Sequence, residues 1–379
     1  MRISQLTLSK IGPTTADFSE LMALKPQWVI ALGSAEALQA GAGALATAFP
    51  EASRMGCSTA GEISGAGVTD GTLVVTAMAF DKAHIKQAST VLSGMDDSFD
   101  AGRRLALELP VEGLRAIVIL GQGVKINGSA VLSGLVDVVG PQIPITGGLA
   151  GDGGAFVETW VLDNQGVSND RIVCMGLYGQ DLVFSHGSFG GWSPFGPARQ
   201  VTRCDNNVLY ELDGEPALDV YKRYLGEHAK DLPASGLLFP FAMLGKDHNE
   251  LGIIRTILGI DEKNGSLTLA GDIVPDGYLK LMHASTDALV SGAETAAHAS
   301  RGNTSPDQAG LALLVSCVGR KLVMGGRVDE EVEVVADLYG SNTTFAGFYS
   351  YGEISPHAGL MSCKLHNQTM TISYISETL

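Results

Sequence analysis

The sequence predicts a mixed α/β protein (α+β in its sheets) made of two related multi-layer domains, with mixed sheets and helices and a pseudo-symmetric internal duplication. Three observations predict it. Short apolar runs alternate with stretches of helical periodicity, glycine reaches 48 of 379 residues, and one frame, G-x-x-x-x-G-E-I-S, occurs near both ends, at 56–64 and at 347–355. An apolar run, a helical stretch and a second run in that order imply a parallel strand pair joined by a right-handed crossover. The length suits two or three domains at about 100–200 residues each.

Each element has a local reason. WVIAL (28–32) reads as a buried strand, and Ser34 caps a helix whose Leu38, Ala42, Leu45 and Phe49 recur at helical spacing until Pro50. A second strand ends at Cys57, a glycine-flanked turn carries GEIS, and 71–80 is the next strand. The order recurs at the other end: strand 311–317, a helix within 321–340, strand 343–350, GEIS at 352–355, and strand 367–375. Between them lies a strand at 115–120 and an Asn127-capped helix over 127–140 with Val131, Leu132, Leu135 and Val138 on one face. GGLAGDGG (147–154) reads as a tight turn, followed by antiparallel strands TWVL, IVCMGLYG and LVFSHG. A helix over 215–226 has Pro216 in its first turn, three further strands come next, and Ser285 caps the last long helix before the repeat. The best boundary lies near 190–232, dividing the chain into 1–200 and 201–379.

Composition excludes several classes. With 41 acidic against 25 basic side chains the net charge is −16, which repels nucleic acid and anionic membrane surfaces. Five scattered cysteines without a CxxC fit a reduced cytosolic chain and argue against a disulfide framework or structural zinc. The longest apolar stretch, 237–244, is too short to span a bilayer, so a cytoplasmic location is expected.

GCSTAGEIS (56–64), PITGGLAGDGG (144–154), VLYELDGEPALDVYKRYLG (208–226), GFYSYGEISP (347–356) and LHNQT (365–369), in this order, resemble the FIST proteins, with FIST N and FIST C domains. The resemblance implies a sensory protein that binds a small ligand and signals through a partner histidine kinase or cyclic-dinucleotide enzyme. Some family members of this size are similar to haem-containing nitric-oxide sensors, so haem b is the cofactor the resemblance brings in. A homo-oligomer is compatible with this reading.

Ligands of open α/β sheets sit outside the carboxyl ends of parallel strands. Both GEIS turns come after such a strand, which makes Glu62 and Glu353 the first candidates. A carboxylate there either holds an ammonium or guanidinium group or accepts N–H bonds and pins its own turn. Gly147, Gly148 and Asp152 are expected beside the ligand, with a plain turn as the alternative. Cys57, Ser58 and Thr59 end a strand where a nucleophile would sit, yet no G-x-S-x-G elbow accompanies them, so a Cys57 hydrolase is the alternative function and a buried Cys with turn-capping hydroxyls the simpler reading. A ligand-free interaction module is the other alternative. His186, after an apolar strand, is the leading haem-ligand candidate and His366 the second; Asn367 and Thr369 beside it suit turn hydrogen bonds, Asn367 also joining the ligand candidates. His357, Cys363 and His366 match no established metal spacing.

Overall fold

The computed structural model describes residues 1–9, 12–302, 309–356 and 363–378. The first unit runs β1 (Arg2–Leu8), β2 (Trp28–Gly33), α1 (Ala35–Ala48), β3 (Ser53–Ser58), the hairpin β4 (Glu62–Ser64) and β5 (Gly67–Thr69), then β6 (Leu73–Ala79). The second repeats that order: β7 (His84–Val91), α2 (Ser98–Leu107), β8 (Leu114–Gly121), α3 (Gly128–Val139), β9 (Ile145–Leu149), the hairpin β10 (Val161–Asp163) and β11 (Gly166–Ser168), then β12 (Arg171–Tyr178). The third opens with β13 (Leu182–Phe189) and, after an inserted lobe, continues with α4 (Thr286–Arg301), β14 (Gly310–Cys317), α5 (Val318–Met324), α6 (Glu330–Tyr339), β15 (Thr343–Ser350), the hairpin β16 (Gly352–Pro356) and β17 (Cys363–His366), and β18 (Met370–Glu377). The lobe, between 193 and 283, contributes a nine-stranded sheet and the helix Ala217–Leu225.

The duplication predicted between the two ends is present, and a third unit of the same order lies between them. Three six-stranded mixed sheets result, ordered β1-β6-β2-β3-β10-β11, β7-β12-β8-β9-β16-β17 and β13-β18-β14-β15-β4-β5. In each, the first hydrogen-bonded pair of the crossover is parallel (β2 with β3, β8 with β9, β14 with β15). Each sheet is finished by the hairpin of another unit, so the three exchange hairpins in a closed cycle. Three backbone bonds trace the same cycle: Ala60 N to Tyr349 O, Gly151 N to Ser58 O and Tyr351 N to Leu149 O, at 2.8, 2.9 and 3.1 Å.

The glycine of the repeated frame has a steric cause. A Cβ on Gly56 would stand 2.0 Å from the Ala31 carbonyl oxygen, one on Gly347 2.0 Å from that of Leu314, and one on Gly147 1.9 Å from that of Ile119. No side chain survives such an approach. One core serves all three units: Ile30 and Leu32 of β2, Val118 and Leu120 of β8, and Leu313 and Val315 of β14 meet there, while alternate residues such as Ala31, Ile119 and Leu314 face helices.

The caps expected for three helices are in place: Ser34 Oγ accepts from Ala37 N, Asn127 Oδ1 from Ala130 N and Ser285 Oγ from Ala288 N, at 3.2, 3.1 and 3.2 Å. The single helix expected within 321–340 is instead two, α5 and α6, because Gly325 turns the backbone to φ +54. Pro216, expected in the first turn of its helix, stands just before it at the N-cap position and makes no side-chain cap bond. Among the described residues no helix is long and apolar enough to cross a membrane.

Candidate functional site

The two GEIS glutamates occupy the same place in their hairpins. Glu62 pairs across its hairpin with Thr69 and Glu353 with His366, so the residues after them correspond: Asp70 with Asn367, and Thr72 with Thr369. Glu62 Oε2 accepts the N–H and hydroxyl of Thr72 at 2.9 and 2.8 Å, and Oε1 accepts the Thr59 hydroxyl. Glu353 Oε2 accepts the N–H and hydroxyl of Thr369, both at 3.1 Å, and Oε1 the Ser350 hydroxyl at 2.7 Å. Both carboxyls are buried. Burial raises the Glu62 carboxyl against the pull of these bonds, and it pushes Glu353 up to about 8. The shared geometry is that of a side chain fixing its own turn. The second hairpin carries Val161 at this position and fixes its turn through Asp163 instead, whose Oδ1 accepts the N–H groups of Gln165 and Gly166 at 2.7 and 3.2 Å.

Only Glu62 also faces open space. A cavity of about 750 Å³ lies where the carboxyl ends of β2 and β3 meet the start of α5, bordered by Thr59, Glu62, Asp70, Asp152 and Lys321. Lys321, from the third unit, donates to the Ala60 carbonyl at 2.9 Å, pairs with Asp70 and stands 5.4 Å from the centre of the Tyr349 ring. Beneath it the Arg320–Glu331 pair is wholly buried at 2.7 Å, and Glu331 also accepts the hydroxyls of Ser316 and Tyr349 at 2.9 and 2.7 Å. Such a network is costly to disrupt and holds this wall rigid. A second cavity, of about 310 Å³, lies at the end of β8 and is bordered by Asn127, Tyr351 and Asn367.

The remaining candidates divide. Asp152 borders the larger cavity, but its carboxylate is engaged: it accepts the N–H groups of Phe156, Val157 and Glu158 at 2.8, 2.7 and 2.9 Å and the Tyr351 hydroxyl. Burial pushes its pKa up, and these bonds outweigh that and hold it below the ordinary value. Gly147 and Gly148, expected in a turn, lie within β9 and pair with Ile354 and Glu353, so the turn begins beyond them. Cys57 points into the shared core, and burial pushes its thiol well above the ordinary range, which leaves no thiolate for attack. Ser58 donates to Gly151 O at 2.6 Å and accepts from Trp160 N at 2.8 Å, tying first unit to second.

Family models for the FIST N domain and the FIST C domain match residues 27–215 and 217–356. The chain belongs to the FIST family. FIST domains suggest a sensory signalling role. This FIST chain is 35% identical over 101 residues to an uncharacterized protein of Methanocaldococcus jannaschii, covering 25% of the chain and 19% of that protein. It is 26% identical over 229 residues to an uncharacterized protein of Mycobacterium bovis, covering 58% of the chain and 57% of that protein. It thus spans less than two thirds of the length of these curated relatives. A crystal structure of cyanuric acid hydrolase from A. caulinodans aligns with 100% of the chain and 99% of its own length, at 10% identity and a TM-score of 0.37.

The histidines of this FIST chain do not fit a haem at either cavity. His186 is half-buried on the edge strand β13, its ring tilted 6.3 Å from that of Phe184, and burial holds its imidazole below the ordinary value. His366 is buried within its hairpin, with Nε2 3.2 Å from the Ser355 carbonyl oxygen. Among the described residues no histidine borders either cavity, and no group of three or more His, Cys, Asp or Glu could hold a metal ion. His357 lies outside the described residues. Sequence reasoning missed Asp70, Lys321 and Tyr351. Tyr351 stands inside the second GEIS block and was within reach, whereas Lys321 and Asp70 are brought together only by the hairpin exchange.

Proposed function

We propose that the chain is a cytoplasmic small-ligand sensor that acts by contact on a partner histidine kinase or cyclic-dinucleotide enzyme, with its ligand in the 750 Å³ cavity. The observation that carries the reading is the convergence of the first GEIS turn, the Asp152 loop and Lys321 on one opening at the ends of parallel strands. Its wall sets Glu36, Glu62, Asp70 and Asp152 against Lys321, so a ligand bearing an ammonium or guanidinium group is favoured. Because Lys321 belongs to the third unit and Asp70 to the first, a cation that draws Asp70 away from Lys321 alters a contact between units, which is a route from ligand to partner surface.

Thermal-shift measurements with agmatine and arginine test this. A rise in melting temperature in the parent, reduced in Asp70→Asn, supports it. No rise with any cationic compound, together with nothing copurifying by mass or absorbance, favours a ligand-free interaction module instead.

A further inference from the structure

We infer that the smaller cavity is a second binding site, for a neutral polyhydroxylated ligand of monosaccharide size, with Asn367 as its buried acceptor. Asn367 is 1% exposed, borders the cavity, and its Oδ1 has no hydrogen-bond partner. A buried acceptor left unmade costs about 1–3 kcal/mol, so such a group in a cavity wall points to a donor supplied from outside. The corresponding position in the first unit makes the contrast explicit. There Asp70 is met by Lys321; here the hairpin presents a neutral carboxamide, and among the described residues no lysine, arginine or histidine borders the cavity.

The walls disfavour an anion, and the helix start disfavours a cation at its own end. Helix α3 starts in this cavity at Asn127 and Gly128, and of its first N–H groups the Asn127 side chain caps that of Ala130, while helix geometry leaves Gly128 and Ser129 without a partner in the helix. The positive end of the helix opposes a bound cation. Asp96 and Asp272, at the rim, oppose an anion. A hydroxyl both donates and accepts, so one ligand can give a hydrogen bond to Asn367 Oδ1 and take one from the helix start. Phe99 and Tyr351 supply apolar ring surface for the carbon skeleton. The volume of about 310 Å³ holds a six-membered ring with its hydroxyls.

Ligand-observed saturation-transfer NMR on the full chain, with D-glucose and myo-inositol as probes and acetate and methylammonium as charged controls, tests the assignment. The polyols are expected to bind and the controls not to. Asn367→Leu is expected to weaken polyol binding about tenfold or more, the order of one bond to a buried acceptor. Its melting temperature should equal or exceed the parent's, because an apolar side chain removes an unmet polar atom; Asn367→Ala serves where leucine does not fit. Binding of a charged control in place of the polyols, no polyol binding in the parent, or polyol binding that survives in both variants overturns the proposal. Agmatine stabilisation through the larger cavity is scored separately, so failure of one site leaves the other standing.

Discussion

The hairpins of the first and third units begin from the same Gly-Glu-Ile-Ser and place the same bonds on their glutamates, yet one glutamate borders an open cavity and the other is sealed. The difference lies in the residue just past each hairpin. Asp70 draws Lys321 across from another unit, whereas Asn367, at the matching position, leaves its Oδ1 without a hydrogen-bond partner. A repeated motif thus keeps the turn, and the residue flanking it sets the character of the cavity beside it, a charged pair in one case and a neutral carboxamide in the other. Glu62 serves both ends; Glu353 serves the turn alone.

That contrast can be broken most severely at Glu353. Glu353→Ala, which strands the buried Thr369 and Ser350 donors, should cost about 3 kcal/mol in chemical denaturation, and Glu62→Ala less, about 1–2 kcal/mol, because one of its donors, Thr59, borders the cavity and can take water there. Equal costs would show that the cavity makes no difference to the turn. Next in size is the pH dependence. With its folded pKa raised to about 8 from an ordinary 4.5, Glu353 holds a proton that the unfolded chain has released. Its contribution is full below the unfolded value and fades as pH rises through 8, so the parent should lose stability between about pH 5 and 8, and Glu353→Gln should flatten that decline. Melting curves at several pH values check this, and an unchanged slope in the variant would place the titration elsewhere. The smallest effect is expected from Lys321→Met: its partner Asp70 is 72% exposed, so the lost ion pair should change stability by about 1 kcal/mol or less. The same variant should alter agmatine binding, which separates a site residue from a structural one.

Much of the fold was legible because its causes are local. Ser34, Asn127 and Ser285 are good caps at the heads of periodic stretches, and the glycine of the frame marks strands packed too tightly for a Cβ. The middle unit stayed hidden because its hairpin replaces Gly-Glu by Trp160 and Val161, leaving Gly147 as the surviving mark of the repeat, and that glycine sat in a run that reads as a loop. Asp152 and Thr59 were legible as cavity neighbours from their position after a strand. Lys321 was not, since its role depends on a unit contributed from the far end of the chain.

The exchanged hairpins also constrain how the molecule comes into being. Ser64 pairs with Ala346, so a ribbon made early has no partner until the last unit has emerged, and until then its edges stay open. Pairing across so long a stretch of chain predicts slow, all-together assembly and little tolerance for truncation at either end. A fragment matching one family domain alone would be left with an unfinished sheet, and the whole chain is the smallest piece in which every ribbon finds its place.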